Sequence, residues 1–220
     1  MIDALSRRIS ARASRAAEFN TIKAQTRKEF EVVQPQLSYL DVIRSVLPRD
    51  GFFVEEIYQA GFTARFGFPV YHPRSYVTCG YQDNLGFGFM SALGVKVAHP
   101  DKAVVSISGD GGFMFGVQEL ASAVQHRINL VSIVFNNRSF GNVMRDQATV
   151  FEGRHIGDRL RNPDFVKLAE SFGAAGYRAS TPLELKTMLE RALAGDSPAL
   201  IEVPIAPGCE TSPWPFLHPA

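Results

Sequence analysis

The chain has 220 residues, 23 of them Lys or Arg and 22 Asp or Glu, for a formal net charge of +1. That length suffices for one full core, and 45% hydrophobic with 20% charged residues is an ordinary globular balance that offers no electrostatic footprint for nucleic acid. No apolar run approaches a membrane span, and Cys79 and Cys209 stand apart with no CxxC pair, so neither a zinc site nor an iron–sulfur cluster is indicated. Reduced thiols and a cytoplasmic location are the expectation.

In the first thirty residues Arg7, Arg8, Arg12, Arg15, Lys23, Arg27 and Lys28 are set against only Asp3, Glu18 and Glu29. Such a segment predicts a basic surface helix without a wide apolar stripe, read as a linker over 1–34 in preference to a transit peptide or a lipid-binding helix. Gln34-Pro35-Gln36 marks the boundary, because proline biases the preceding residue away from helix. A single domain is expected over 35–205. It opens with an amphipathic helix carrying Leu37, Leu40, Val42, Ile43, Val46 and Leu47, stopped by Pro48 and Gly51. Phe52-Phe53-Val54 reads as a short buried strand, followed by the loop Glu55 to Gln59. The aromatic residues Phe62, Phe66, Phe68, Tyr71 and Tyr76 are read as packing.

The centre of the chain is the most informative. Two apolar runs, Ala103–Ser108 and Leu130–Phe135, are separated by a helical pattern with Val117, Leu120, Ala121 and Val124 on one face. Strand, helix, strand in that order predicts two parallel strands whose C-terminal ends share one edge, and hence an α/β fold with a parallel sheet and helices on both faces. Asp110 and Asn137 fall just past those two ends. A carboxylate and an amide carbonyl are hard oxygen ligands, suited to Mg²⁺ rather than to zinc, and Mg²⁺ usually keeps phosphate oxygens in its shell. Gly109, Gly111 and Gly112 let backbone approach such a phosphate closely, so the segment predicts a metal-bridged diphosphate.

The remainder reads as scaffold. Val150 to Arg161, with Gly153, His155, Gly157 and Asp158, is expected to be a mobile loop. Asn162 is read as an N-cap with Pro163 at the first helical position, followed by a stripe of Phe165, Leu168, Ala169 and Phe172 that ends at Gly173. Thr181 to Glu184 is a capping box for a helix that turns Leu185, Met188, Leu189 and Ala192 inward. Ala199–Val203 is the last buried strand. From Pro204 onward five prolines argue against regular structure, which leaves 206–220 as a Pro-rich tail, disordered or laid across the domain or a neighbouring subunit.

Gly109-Asp110-Gly111, then 24 residues, then Asn136-Asn137 resembles the signature of thiamine diphosphate (ThDP) enzymes, in particular the acetolactate-synthase and benzoylformate-decarboxylase group. Asn84 to Phe89 and Ala92-Leu93-Gly94 resemble a second glycine-rich block of that group, and the similarity runs from about residue 35 to 205. The resemblance implies the C-terminal ThDP-binding domain of a 2-oxoacid decarboxylase or carboligase, with ThDP and Mg²⁺ as cofactors. It implies Asp110, Asn137 and the Ser139 main-chain carbonyl as metal ligands, with Gly109, Gly111, Gly112, Phe140 and Gly141 beside the cofactor. Leu85 would be the apolar wedge that keeps the cofactor bent, an ordinary core leucine being the alternative, and the Asp83 carbonyl would accept from the pyrimidine amino group. Asp83 departs from the family's small residue, and its side chain is expected to face solvent or a partner. Tyr58 and Gln59 would touch the diphosphate, but Glu-Glu-Ile-Tyr-Gln stands where the family has Asp-Val-Gly-Gln-His, so a solvated loop is the alternative. Val143 and Met144 are candidates for shaping the substrate pocket, with core packing equally open, and Arg145 is a candidate partner for a substrate carboxylate.

By the same resemblance, the assembled enzyme would decarboxylate a 2-oxoacid and transfer or release the aldehyde unit. The activating glutamate is expected from a separate pyrimidine-binding domain that the basic segment ahead of this domain cannot contain. The chain is therefore expected to be inactive alone and to self-associate. It reads as a fragment or truncated product of a longer enzyme, in preference to the ThDP-binding subunit of a split decarboxylase. FAD is not expected. The competing reading is a non-catalytic or regulatory module that binds a diphosphate or serves oligomerisation.

Overall fold

A computed structural model describes residues 13–217, and the chain divides into two compact units, Met1–Val32 and Val33–Ala220. In the first unit helix α1 (Ala16–Phe30) is exposed along most of its length and buries Phe30. The predicted basic residues Arg7, Arg8 and Arg12 lie outside the described residues.

The second unit is a six-stranded sheet, β1 (Phe52–Glu55), β2 (Tyr76–Val77), β3 (Val104–Gly109), β4 (Val131–Asn136), β5 (Ala175–Arg178) and β6 (Ala199–Pro204). The strand order is β2-β1-β3-β4-β6-β5 and every pairing is parallel. All six positions of β3 and of β4 are buried, which is why both read as continuous apolar runs rather than alternating ones.

Alternate residues of each strand feed two separate cores. One face packs Phe53, Val105, Ile107, Ile133 and Ile201 against α2 (Gln36–Val46), α3 (Gln59–Gly67) and α9 (Pro182–Ala194). The other packs Val54, Val104, Val134 and Leu200 against α4 (Phe87–Ala98), α5 (Asp110–Phe113), α6 (Leu120–Gln125) and α8 (Phe165–Phe172). Helix α7 (Gly141–Thr149) buries none of its residues and follows the C-terminal end of β4. The predicted α/β sandwich is therefore the observed fold.

Local expectations fared unevenly. The helical pattern between β3 and β4 is not one helix but a turn of α5, a 3₁₀ turn at Val117–Glu119 and α6. Ala121 is consequently exposed, and Ala123 takes the buried position. Asn162 is not the cap of α8: the Asp164 carboxylate accepts from the N–H groups of Val166 and Lys167, so the helix starts two residues later than expected. The predicted capping box of α9 forms, Glu184 N–H donating to Thr181 Oγ1 at 3.2 Å and the Glu184 carboxylate accepting from Ser180 N–H at 2.7 Å.

The segment 150–161 is joined to the loop after β4 by hydrogen bonds. Phe140 N–H donates to the Asp158 carbonyl at 2.8 Å, Leu160 N–H to the Arg138 carbonyl at 2.8 Å, and His155 Nδ1 lies 2.6 Å from the Asp158 carboxylate. The proline-rich end contains regular structure after all, because Pro204 closes β6 and Trp214–Leu217 forms one turn, α10. Proline is tolerated at a strand end and near a helix start, where no N–H is required of it.

Candidate functional site

The sheet register determines where the chemistry-bearing residues emerge. Gly109, the last residue of β3, pairs with Phe135 of β4, so Asp110 and Asn137 leave neighbouring strands at the same C-terminal edge. The chain leaves β1 for β2 on one side and returns to β3 on the other, so β1 and β3 flank a topological switch point, where open α/β sheets form a crevice. A partly enclosed cleft of about 150 Å³ opens there. Its walls come from the loop after β1 (Ile57, Tyr58, Gln59), from Leu85, from Gly109 to Gly112, and from Ser139 to Val143.

The glycines are required by contact. A Cβ on Gly112 would lie 1.6 Å from Glu56 Oε1, and one on Gly111 would lie 2.4 Å from the Phe140 ring. Leu85 is half-buried at the cleft wall and is not a core leucine. Asp83 adopts a left-handed conformation (φ 46°). Its carboxylate stays partly exposed, as expected, and accepts from Arg65 Nη1 at 3.2 Å and from Cys79 Sγ at 3.3 Å. Arg65 also reaches the buried Glu55 carboxylate at 3.2 Å, so one guanidinium ties the two acids together. Burial and these acidic neighbours push the Cys79 thiol up to about 12.

The solvated-loop alternative for residues 55–59 is excluded, because Glu55 and Glu56 have no exposed surface and Gln59 is 6% exposed. Glu56 Oε2 accepts from Gly88 N–H at 2.8 Å and lies 3.4 Å from Ser108 Oγ. Burial raises its pKa to about 7. Tyr58 stacks on Phe135 with ring centroids 5.2 Å apart, and its hydroxyl donates to the Glu210 carboxylate.

Asp110 is 1% exposed, and burial raises its carboxyl pKa above the ordinary range against hydrogen bonds that favour the ionised form. One of those comes from Asn162 Nδ2 at 2.5 Å. Asn162 is itself held by Asn136 Oδ1 at 2.9 Å, and Asn136 Nδ2 donates to Glu202 at 2.7 Å. A three-residue polar relay thus orients the Asp110 carboxylate from behind.

Asn137 is gripped from two sides. Its Oδ1 accepts from Ser139 N–H at 3.1 Å and Ser139 Oγ at 2.9 Å, while its Nδ2 donates to Glu210 at 3.1 Å. Val143 lines the cleft and is 46% exposed, and Met144 lines an adjoining one with Asn137 and Glu210, so neither is a core residue. Arg145 is engaged by Asn142 Oδ1 at 2.6 Å, by Ser212 Oγ at 3.1 Å and by the Trp214 ring 5.4 Å away. No group of three or more His, Cys, Asp or Glu that could hold a metal ion occurs among the described residues, so any cation here depends on amide and main-chain oxygens beside Asp110.

Sequence reasoning missed Asn162, Glu56 and Glu210. Two acids directly after an apolar strand were a signal for Glu56, and a second capping residue at Asp164 left Asn162 free for another role. Nothing local marks Glu210, which lies 73 residues from Asn137 in the chain.

Residues 59–203 match the family model of the thiamine pyrophosphate enzyme, C-terminal TPP binding domain. The chain is 36% identical over 180 residues to the acetolactate synthase large subunit of Haemophilus influenzae, covering 80% of this chain and 31% of that protein. It is 34% identical over 164 residues to the acetolactate synthase isozyme 3 large subunit of Escherichia coli, covering 74% of this chain and 28% of that one. Among solved structures, the thiamine diphosphate-dependent 4-hydroxybenzoylformate decarboxylase of Rhodococcus jostii superposes with a TM-score of 0.72 at 31% identity, covering 78% of this chain and 32% of that one. The chain thus spans about a third of the length of the proteins it matches. The fold, the glycine-rich strand tip of β3 and the matched model agree, and membership carries ThDP as the cofactor: the chain belongs to the family of thiamine pyrophosphate enzymes and contains its C-terminal TPP-binding domain.

Proposed function

We propose that this chain binds Mg²⁺–ThDP at the C-terminal edge of β3 and β4, as the diphosphate-holding part of an acetolactate-synthase-like 2-oxoacid carboligase or decarboxylase. The observation that carries the reading is the placement of Asp110 and Asn137 at adjacent strand tips beside a cleft floored by glycines. The residues present fit the group. Asp110 is a buried carboxylate with backbone and amide donors behind it, and Gly111 and Gly112 leave no room for side chains. Asp110, Asn137 and the Ser139 carbonyl would hold the cation. Gly109, Gly111, Gly112, Gln59, Phe140 and Gly141 would surround the diphosphate, with Tyr58 closing one side.

Leu85 at the cleft wall and the Asp83 carbonyl would orient the organic part of the cofactor, and Val143 and Met144 would shape the space beside it. The bound cofactor supplies the carbanion chemistry, while this chain supplies binding, orientation and electrostatics. Arg145 is committed to Asn142, Ser212 and Trp214, so it is better placed to hold the C-terminal segment than a substrate. Turnover of a 2-oxoacid would require a pyrimidine-binding domain or subunit that contributes the activating glutamate, and the chain would self-associate or pair to complete the site. The test is calorimetric titration of ThDP in the presence of Mg²⁺. Asp110→Ala should abolish the Mg²⁺-dependent binding shown by the unmodified chain, and unchanged affinity would overturn the assignment.

A further inference from the structure

The C-terminal segment is seated on the proposed site by polar contacts that no local motif announces. Thr211 N–H donates to the Gln34 carbonyl at 3.0 Å, and Gln36 Nε2 donates to the Thr211 carbonyl at 2.6 Å. Trp214 Nε1 donates to Asn142 Oδ1 at 3.2 Å, and its ring lies 5.0 Å from that of Phe62. These contacts bring the Glu210 carboxylate against Tyr58 OH and Asn137 Nδ2.

We propose that Glu210 is a positioning residue for the cation site: by accepting from Asn137 Nδ2 it fixes which way the Asn137 amide points, and so presents Oδ1 as the metal-facing atom. The inference rests on the Mg²⁺–ThDP reading above. Its physical basis is the hydrogen-bond inventory of an amide. A flipped Asn137 would set its NH₂ group against the Ser139 N–H, donor against donor, and its oxygen against the Glu210 carboxylate, acceptor against acceptor. Only one orientation satisfies both neighbours. In that orientation Oδ1 has one lone pair committed to Ser139 N–H, and the second is covered by the rotatable Ser139 hydroxyl. A hydroxyl can turn away and surrender that lone pair to a cation, whereas a main-chain N–H cannot. Tyr58 adds a second donor to Glu210 and so limits where the carboxylate can sit.

Outer-sphere partners of this kind typically set metal affinity by roughly 10- to 100-fold. The experiment is a Mg²⁺ titration of the full chain at saturating ThDP, followed by calorimetry and by the fluorescence of Trp214, the chain's single tryptophan. Glu210→Ala should weaken Mg²⁺ roughly tenfold or more, and Glu210→Gln, which keeps an acceptor for Asn137 Nδ2 while losing the charge, should restore affinity close to that of the unmodified chain. Glu210→Met, which keeps the volume but not the acceptor, should repeat the loss and serves if alanine unfolds the segment. Unchanged Mg²⁺ affinity in Glu210→Ala or Glu210→Met, with only the Trp214 signal or the thermal midpoint shifted, would reduce Glu210 to an anchor of the tail and overturn the inference. Tighter binding would overturn it too, by making Glu210 an internal competitor of the cofactor's phosphates. Loss in Glu210→Gln equal to that in alanine would replace positioning by charge. If the unmodified chain shows no Mg²⁺-dependent ThDP binding, the functional reading itself fails, a result distinct from each of these.

Discussion

Glu56→Gln should make the protein more stable at neutral pH, although it removes a partner of several polar groups. Glu56 has no exposed surface, one of its oxygens accepts from Gly88 N–H at 2.8 Å, and the other has no hydrogen-bond partner. Burial raises its pKa from an ordinary 4.5 to about 7. Between those values the folded protein holds a proton that the unfolded chain has released, so stability falls as pH rises through that window and levels off above it. At 1.36 kcal/mol per pH unit, the full drop amounts to roughly 3 kcal/mol.

Glu55, Asp110 and Glu210 are raised by burial as well, so the slope of the unmodified protein mixes several groups. The difference between the two proteins isolates Glu56. Glutamine carries no titrating proton, and any imperfect packing of its amide adds an offset that is the same at every pH. Urea unfolding of both proteins from pH 4.5 to 8 is the assay. The unfolding free energy of Glu56→Gln relative to the unmodified chain should climb by roughly 3 kcal/mol across that range. Parallel curves would mean that Glu56 titrates as it does in water and would refute the reasoning.

Two further changes test the architecture of the strand tips. Gly112→Ala places a methyl group where Glu56 Oε1 already stands, 1.6 Å from the new carbon, and should cost about 1–3 kcal/mol in urea unfolding as the carboxylate is displaced. Asn162→Ala removes the 2.5 Å hydrogen bond to the buried Asp110 carboxylate. It should cost about 1.5–3 kcal/mol at pH 7 and less at low pH, where Asp110 is protonated and no longer needs a charge-assisted donor. An equal loss at both pH values would mean that the bond does not respond to the charge on Asp110.

The main strands were readable because they are buried on both faces, which turns β3 and β4 into unbroken apolar runs ending in Gly-Asp-Gly and Asn-Asn. The edge strands β2 and β5 were not, since neither contains a fully buried residue and nothing in their sequence separates them from loop. Capping chemistry was ambiguous for a comparable reason. Asn162 and Asp164 are both good N-caps, and only the relay through Asn136 to Asp110 decides that Asn162 serves the site.

By itself the sequence determined the identity and spacing of Asp110, Asn137 and the intervening glycines, because close backbone approach at the ends of strands demands particular residue types. Tertiary structure alone decided that Glu55 and Glu56 are buried, that Asp83 turns to Arg65, and that Glu210 reaches Asn137 across 73 residues. Burial and long-range hydrogen bonds depend on which segments the sheet brings together, and local periodicity has no term for that.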